Sequence, residues 1–416
     1  MSTVYVVGGG LAGLAAAVAL AEQGRKVTLI EGAPQAGGRC RSYFDPVLGA
    51  VIDNGNHLVL SGNHSVQTYL ATIGATDALA GPDRAVFDFV DVRDDKRWTI
   101  RPNSSALAWW IFARDRRVPD TAPPDYLALV KLLLAGGDKR IEDVIACDGP
   151  LWERLLQPFL LAVLNSDPKT SSAKLAGAVI AQSLAKGGNA YRPRIAHPTL
   201  AAAFVDPALT YLASKGAEVR LGQRVRALDF AGERVAALQL PSETIAVAAN
   251  DTVILAVPPW AATELLPGLT APTEFRSIVN AHFKIVPPAG APLMTGVIGG
   301  AAEWIFAFAD RISITVSGAD AIVDDDREAL ARRFWADVAK VFHLPAELPP
   351  WQVVKERRAT FAATPAQARL RPKAATRWSN LLLAGDWTDT GLPSTIEGAV
   401  RSGQKAASLA LARGPV

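Results

Sequence analysis

Cysteine is nearly absent from this chain, and its scarcity argues against a disulfide-rich protein and against a cysteine-bound metal site. Cys40 and Cys147 are the only cysteines among 416 residues, which provides neither a disulfide framework nor the spacing of a metal site. We therefore predict no metal and expect a reducing, cytoplasmic compartment. The chain also has no large excess of one charge, since it contains 43 lysines and arginines and 40 aspartates and glutamates. This balance argues against nucleic acid as a partner.

Long hydrophobic runs and a leader sequence are also missing. No stretch of about 18 uninterrupted apolar residues occurs, so we predict no segment that spans a bilayer. The N-terminus leads directly into a predicted strand, without the basic and apolar regions of a signal peptide. Half of the residues are nonetheless apolar, and the length suffices for two or three interwoven domains with substantial cores.

The first 31 residues carry a dinucleotide-binding pattern. An apolar run at 4–7 predicts a buried strand, and the sequence GGGLAG follows it directly. Gly8, Gly10 and Gly13 occupy the glycine positions of G-x-G-x-x-G, which allow a tight turn, approach of a pyrophosphate and close packing of the next helix. That helix and a second strand lead to Glu31, where a carboxylate can bind ribose hydroxyls. Because these features are in register, we predict a dinucleotide site.

Two loops with polar residues follow this unit. In the first, Gly37 and Gly38 expose their backbone and Arg39 offers its guanidinium N–H groups, so that both can approach a second phosphate. The second loop, 53–57, places the residues DNGNH between two apolar runs, and polar side chains held in this way often line a site. For His57 the pattern leaves two roles equally open, a functional one and that of a hydrogen-bonded structural histidine.

A second strand–turn–helix unit lies near the C-terminus. A buried strand is predicted at 381–384, and the turn after it begins with Gly385 and Asp386. The Asp386 carboxylate can bind a polyol, and the free N–H groups near Thr395 and Ile396 lie at the positive end of the next helix. Such an end suits the negative charge at the pyrimidine side of a reduced flavin. Together the two units favour FAD over NAD.

The chain between these units bears on fold and partners. A buried strand at 253–257 predicts that the chain returns to the nucleotide sheet. Residues 104–117 place two tryptophans before three arginines, which is typical of an interfacial helix, although core packing explains it as well. Apolar helices are predicted at 126–135 and from Leu151, the latter kinked or broken at Pro158. They suit either the lining of a lipid-sized cavity or an ordinary helical core.

With these motifs the chain resembles the amine oxidase/phytoene desaturase superfamily of FAD enzymes over essentially its whole length. The resemblance rests on the residues already described and on ILAVPP at 254–259. Within the superfamily the chain is most similar to the squalene-associated branch, on DNGNHLVL (53–60), LAVLNSDP (161–168), EWIFAF (303–308), KERRATFAATP (355–365) and GDWTDTGLPSTIEGAVRSG (385–403). Asn56 departs from the branch, where glutamine is expected.

The resemblance implies an α/β fold in two domains. The first is a glutathione-reductase-like Rossmann FAD domain formed by residues 1–80, 198–268 and 376–416. The second is an inserted α+β substrate domain, an antiparallel sheet with helices, formed by residues 81–197 and 269–375.

The resemblance also implies roles for individual residues toward FAD. Glu31 would bind the adenosine ribose, Arg39 the pyrophosphate and Asp386 the ribityl chain, while the Val225 backbone would contact the adenine. The full set of cofactor-binding residues implied is Gly8, Gly10, Ala12, Gly13, Glu31, Gly38, Arg39, Asn56, Val225, Pro258, Gly385, Asp386, Thr395 and Ile396. Since neither cysteine lies near the C-terminal flavin loop, FAD is expected to be non-covalent.

The reaction implied is reductive removal of the allylic hydroxyl of hydroxysqualene to give squalene, in squalene and hopanoid biosynthesis. An acid must protonate the leaving hydroxyl, and reduced FAD would supply hydride. We predict His57 as the proton donor because imidazole titrates near neutrality; Glu356, Arg357 and Arg358 are weaker candidates. The partners would be a long-chain isoprenoid and an unidentified electron donor, with peripheral contact to the inner face of the cytoplasmic membrane left open. The alternatives are a C30 or C40 polyprene desaturase, an amine oxidase and a non-catalytic isoprenoid-binding flavoprotein.

Overall fold

The nucleotide half of the protein is built on a five-stranded parallel sheet. The structure, a computed structural model, describes residues 2–413. The strands come from separated parts of the chain, and those other than the edge strand Glu218–Arg220 are largely apolar and buried, as a sheet covered on both faces requires. Their spatial order is Glu218–Arg220, Lys26–Ile30, Thr3–Val7, Thr252–Leu255 and Leu381–Leu383, all in parallel pairs. The return of the chain at Thr252–Leu255 to this sheet is as predicted.

Helices cover this sheet, and two of them approach each other closely. Leu11–Glu22 is built almost entirely from small and apolar residues and packs against Ile396–Ala412. A Cβ on Gly403 would lie only 2.1 Å from the Ala12 carbonyl oxygen, so the contact requires glycine. The core on this side also includes the helices His64–Thr72, Leu200–Phe204 and Asp206–Ser214.

A seven-stranded sheet forms the second half. Its order is Trp351–Phe361, Phe275–Phe283, Ile312–Val316, Trp304–Ala307, Met294–Ile298, Phe87–Asp91 and Lys96–Ile100. The predicted antiparallel pattern holds except between Met294–Ile298 and Phe87–Asp91, which run parallel. One face packs on the helix Arg327–Phe342, with a core of its own. The other face contributes aromatic side chains to a core shared with the middle helices.

The middle region differs from expectation in two places. Residues 104–117 do not form a helix; only Trp109–Phe112 adopts a 3-10 turn. Around Pro158 the helix does not break, because a π-helical turn at Trp152–Leu156 joins Gly149–Leu151 to the α-helix Gln157–Leu164. A wider turn of this kind accommodates a residue that has no N–H to donate.

The remaining elements are short. The other α-helices are Leu127–Leu133, Ala173–Gln182, Pro259–Leu265 and Pro365–Arg369. Further 3-10 turns are Gly38–Cys40, Pro123–Tyr126, Ile141–Asp143, Leu184–Lys186 and Ala319–Ala321. Three small sheets comprise Ser42–Asp45 with Ala50–Asp53, then Leu58–Leu60 with Pro193–Ala196 and Leu79–Ala80, and finally Ala227–Ala231 with Arg234–Gln239 and Thr244–Ala246.

We propose the domain division given above with one adjustment. The strand Pro193–Ala196 pairs with both Leu58–Leu60 and Leu79–Ala80, which belong to the first nucleotide segment. We therefore place it with the nucleotide half. Within residues 2–413, none of the helices combines the length and the apolar character that crossing a membrane requires.

Candidate functional site

The glycine-rich turn has the geometry that a pyrophosphate requires. A Cβ on Gly13 would lie 1.8 Å from the Gly8 carbonyl oxygen, and Gly8 itself has a φ of +108°, so the turn requires glycine at both positions. Gly10 differs, since a Cβ there would meet no atom of residues 2–413 within 4 Å. It is the N-cap of Leu11–Glu22 and has no side-chain cap from the described chain. Its exposed backbone and the first N–H groups of the helix, including that of Ala12, are therefore available to an anion.

Glu31 lies beside this turn, at the end of its strand. Its carboxylate accepts from the Gly9 N–H at 2.6 Å and from the Ala33 N–H at 2.7 Å. Each oxygen retains a lone pair that can accept a ribose hydroxyl. Val225 lies nearby and buried, in the segment that follows the edge strand Glu218–Arg220 and whose Gln223 N–H donates to the Glu31 carbonyl.

An ion pair joins the N-terminal and C-terminal loops. Gly37 and Gly38 both have positive φ, and the Gly37 N–H donates to the Gly9 carbonyl at 2.8 Å. This turn directs Arg39 across the crevice, where its guanidinium donates to Asp386 Oδ1 at 2.7 Å. The loop predicted to bind the pyrophosphate and the loop predicted to bind the ribityl chain therefore meet.

The C-terminal loop is held by partners that the sequence did not indicate. The Arg371 guanidinium donates to the carbonyls of Asp386 and Thr388 and to the Thr390 hydroxyl, and burial lowers its pKa to about 10. The Gly385 N–H donates to Ser402 Oγ at 2.8 Å. No motif marks Arg371, because its partners are carbonyl oxygens, which any residue can supply.

Thr395 and Ile396 begin the C-terminal helix. Thr395 is the N-cap, and its Oγ1 accepts from the Gly398 N–H at 3.0 Å. Pro258 lies close to the same loop, since the Trp387 indole N–H donates to the Val257 carbonyl at 3.0 Å. The backbone bridge between Gly10 and Gly37 and the ion pair between Arg39 and Asp386 thus link the turn beside Glu31 to the C-terminal loop in one path.

The 53–57 loop lies beside Arg39 and contacts the large sheet. Asp53 is buried and accepts from Ser42 Oγ at 2.6 Å and from the Leu200 N–H at 2.9 Å. Burial raises its pKa, although these hydrogen bonds and the charge of Arg311 oppose the shift. His282, fully buried, contacts the Asp53 carbonyl through Nε2 at 3.1 Å and Ser313 Oγ through Nδ1 at 2.7 Å. Since a carbonyl only accepts, Nε2 carries the ring proton.

His57 does not have the titration behaviour that its predicted role assumed. Burial and the positive charge of Arg39 lower its pKa to about 4, so its imidazole is neutral at pH 7. His57 therefore does not titrate near neutrality as predicted, and only its position supports it as the proton donor. Of the weaker candidates, Glu356 accepts from the Asn54 amide at 3.3 Å. Arg357 pairs with Asp324 at the surface, and Arg358 packs over Trp260.

Asn56 is fixed by the large sheet. Its Nδ2 donates to the Ile314 carbonyl at 3.2 Å and to Thr315 Oγ1 at 3.1 Å. The Thr315 hydroxyl donates in turn to Asn280 Oδ1 at 2.7 Å. Sequence reasoning missed Asn280 and Thr315, which lie more than 200 positions away from Asn56 and carry no motif.

One cavity adjoins this loop, and a second, larger cavity shares a lining residue with the first. The smaller, of about 10 Å³, is lined by Asp53, Asn56, His57, Ile195, Ala196, Leu200, Phe306 and Phe308. The larger, of about 830 Å³, is open to solvent and bounded by residues of the segments 34–44, 197–209 and 308–311. Phe308 lines both cavities, so one aromatic ring lies between the polar cluster and a space of the size that small-molecule sites occupy.

A parallel nucleotide sheet in which two glycine-rich turns meet across one crevice is typical of a dinucleotide-binding oxidoreductase. The family model described as flavin-containing amine oxidoreductase matches residues 11–411. The chain therefore belongs to this family, and the predictions of an FAD cofactor and of an FAD-dependent oxidoreductase are confirmed.

Individual relatives agree with this assignment. The chain is 54% identical to a hydroxysqualene dehydroxylase of Rhodopseudomonas palustris over 413 residues, 99% of each chain. It is 50% identical to a hydroxysqualene dehydroxylase of Sinorhizobium fredii over 408 residues, 98% of each chain. Among solved structures, cyclohexylamine oxidase from Brevibacterium oxydans has the same fold, with a TM-score of 0.74 at 16% identity and 99% coverage of both chains.

Proposed function

We propose that this protein removes the allylic hydroxyl of hydroxysqualene to give squalene. Full-length relatives at about half identity bear the name of that activity. The observation that carries the proposal is the polar cluster of Asp53, Asn56 and His57 against the apolar wall of Phe306 and Phe308. One hydroxyl on a long hydrocarbon needs this combination, a few polar atoms at one point of an otherwise apolar surface.

We propose that the path described above holds FAD. Gly10 and Ala12 would contact the pyrophosphate together with Arg39, Glu31 would bind the adenosine ribose, and Asp386 would bind the ribityl chain. The Thr395–Ile396 helix end would lie at the pyrimidine side. Once bound and reduced, FAD supplies the hydride that replaces the hydroxyl. With both cysteines outside the C-terminal loop, binding would be non-covalent.

The protein's own residues would exclude water and hold the leaving oxygen. Phe306 and Phe308 cover the polar cluster, which lowers the chance that water captures an allylic cation. Two groups in the cluster can reach a hydroxyl oxygen, the neutral imidazole of His57 and the carboxyl of Asp53, whose pKa burial raises. His57→Gln and Asp53→Asn, compared by dehydroxylation rate at constant FAD content, identify the donor. If neither variant lowers the rate, the donor lies outside the cluster.

The larger cavity supports an isoprenoid as substrate. Its walls are mainly apolar, with Phe44, Val51 and Leu209 among them, and Phe308 connects it to the polar cluster. We propose that a C30 chain occupies this cavity while its hydroxyl carbon reaches the cluster past Phe308. An amine oxidase would instead need an aromatic cage around a cation, and a desaturase would need no group that recognises a hydroxyl.

A single incubation distinguishes these activities. Photoreduced enzyme is mixed anaerobically with hydroxysqualene, and lipid products are analysed while flavin absorbance is followed. Squalene formed in step with flavin reoxidation is the expected result. Conjugated polyenes formed from squalene or phytoene by the oxidised enzyme would indicate a desaturase instead. Peroxide released with an amine would indicate an oxidase.

We also propose peripheral contact with a membrane through an exposed apolar surface, named here the apolar patch. It consists of Leu107, Trp109, Phe112, Leu127, Val130, Leu133 and Leu134, all exposed. Trp110 anchors its two segments to each other by packing edge-on against Tyr126 with ring centroids 5.4 Å apart. Arg114, Arg116 and Arg117 follow directly in the chain. Apolar side chains bordered by arginines bind anionic lipid surfaces, where a C30 substrate resides.

A further inference from the structure

One buried side-chain oxygen of the 53–57 loop has no hydrogen-bond partner among residues 2–413. The Asn56 amide has both Nδ2 hydrogens committed, one toward the Ile314 carbonyl and one toward Thr315 Oγ1. Because a carbonyl oxygen only accepts, the amide cannot be turned around to place Oδ1 there. Oδ1 is therefore fixed on the other side. It is buried, and no donor among residues 2–413 reaches it.

The neighbouring groups cannot move to satisfy this oxygen. The Thr315 hydroxyl has a single hydrogen, which it gives to Asn280 Oδ1 at 2.7 Å. Asn280 Oδ1 also accepts from the Asn56 backbone N–H at 3.4 Å. The loop and two strands of the large sheet are thus joined by one network, in which both Asn56 Nδ2 hydrogens and the Thr315 hydroxyl hydrogen are committed to other acceptors. A buried acceptor left without a donor is costly, by about 1–3 kcal/mol, which makes a donor from a bound molecule the natural complement.

The cavity that Asn56 lines is the size of a single oxygen. Its volume of about 10 Å³ is at the lower limit of space that holds one water molecule, about 10–15 Å³. A methyl-branched isoprenoid segment does not enter such a space, whereas one hydroxyl group does. Most of the lining is apolar, and Asp53, Asn56 and His57 supply its polar side.

We propose that this cavity receives the hydroxyl oxygen of the substrate, with Asn56 Oδ1 accepting the hydroxyl hydrogen. The inference rests on the proposed function and adds to it the residue that distinguishes the alcohol from the hydrocarbon. Squalene has no O–H, so the product makes no hydrogen bond with Oδ1 and binds less tightly than the substrate. The water formed as the C–O bond breaks fits the same cavity and still donates to Oδ1.

Binding to the oxidised holoenzyme tests the proposal without turnover, because oxidised FAD has no hydride to deliver. Hydroxysqualene and squalene, each in detergent micelles, are titrated against the change in flavin absorbance. The wild type is expected to prefer the alcohol by about tenfold, the factor that one hydrogen bond provides. In Asn56→Leu this preference should fall to about one, with the affinity for squalene unchanged. Gln239→Leu, on the small sheet far from the loop, is the matched amide-to-leucine control.

A second measurement does not depend on folding of a variant. The methyl ether of hydroxysqualene lacks the O–H donor and should bind the wild type no better than squalene does. An ether that binds as tightly as the alcohol overturns the proposal, as does an alcohol preference that survives in Asn56→Leu. If Asn56→Leu instead changes flavin content or flavin potential equally with both ligands, Oδ1 serves the cofactor and the proposal is wrong. Should the wild type form no squalene, the proposed function fails, while the binding preference still decides the role of Asn56.

Discussion

The candidate site has two ends, the nucleotide end at the glycine-rich turn and the hydroxyl end at the 53–57 loop. The first depends on glycine backbone, and the second depends on individual polar groups. At the nucleotide end, Gly8, Gly10 and Gly13 matter because they have no side chain, and a Cβ on Gly8 or Gly13 would meet backbone atoms. At the hydroxyl end, Asn56 matters for its side chain, which contacts a strand more than 200 residues away, and Asp53 matters for its carbonyl oxygen, which His282 contacts. The first end should therefore be sensitive to any added Cβ. The second should be sensitive to loss of single polar atoms.

Adding a methyl group at Gly13 should have the largest effect. In Gly13→Ala the Cβ would lie 1.8 Å from the Gly8 carbonyl oxygen, so the helix must move off the strand. We expect a loss of at least about 3 kcal/mol in the free energy of unfolding and no bound flavin. Chemical denaturation and the ratio of flavin to protein absorbance measure both.

Gly10→Ala is the matched control for Gly13→Ala, because it adds the same methyl group to the same turn. Its Cβ would enter open space on the ligand side, so we expect stability near that of the wild type but weaker FAD binding. If both alanine variants lose stability equally, the nucleotide end does not have the distinction between packing and ligand glycines that the geometry indicates.

The next largest effect is expected from removing the Asp386 charge, which joins the two loops and should strengthen FAD binding. Asp386→Ala leaves Arg39 without its 2.7 Å partner and removes the proposed ribityl contact. Because charged hydrogen bonds contribute about 1.5–3 kcal/mol, we expect FAD affinity to fall by about ten- to a hundredfold. Titration of deflavinated protein with FAD measures this, and Asp389→Ala on the same loop is the control. Equal affinity in both variants would contradict the role of Asp386.

The hydroxyl end should respond to pH through His282. Burial lowers the pKa of His282 to about 4 from its ordinary 6.5, so between these pH values the unfolded chain binds a proton that the folded chain rejects. Stability is therefore complete above about pH 6.5 and falls as the pH decreases toward 4, by on the order of 2 kcal/mol at pH 5. Urea unfolding at pH 7.5 and 5.0 should show this decrease reduced in His282→Gln. The exposed His64→Gln should retain the full decrease; a decrease unchanged in His282→Gln would mean that other groups cause it.

The apolar patch lies outside both ends of the candidate site, so changing it should affect neither FAD binding nor substrate binding. Trp109 and Phe112 are 63% and 62% exposed, so the double change of Trp109→Ser and Phe112→Ser should leave stability and flavin content unchanged. Sedimentation with anionic vesicles should fall severalfold. Leu221→Ser and Phe230→Ser, also exposed but away from the patch, are the comparison. Equal vesicle binding in both double variants would exclude the patch as the contact surface.

The sequence by itself determined the nucleotide end, since the glycine spacing, Glu31 and the Gly385–Asp386 turn act through local backbone geometry. It also predicted the strand that returns to the nucleotide sheet, because a fully buried strand must be apolar along its length. It misjudged residues 104–117, where aromatic composition alone did not distinguish a helix from a 3-10 turn. It also misjudged the titration of His57, because a pKa depends on burial and on a neighbouring charge.

Only the tertiary structure decided the hydroxyl end and the way in which the two nucleotide-binding loops meet. It brought Arg39 to Asp386, placed Arg371 under the flavin loop, and fixed the Asn56 amide between Ile314 and Thr315. These partners are distant in sequence and belong to no motif, so their meeting depends on how two sheets pack. For the same physical reason, the unsatisfied oxygen of Asn56 could be recognised only after every neighbouring donor had been placed.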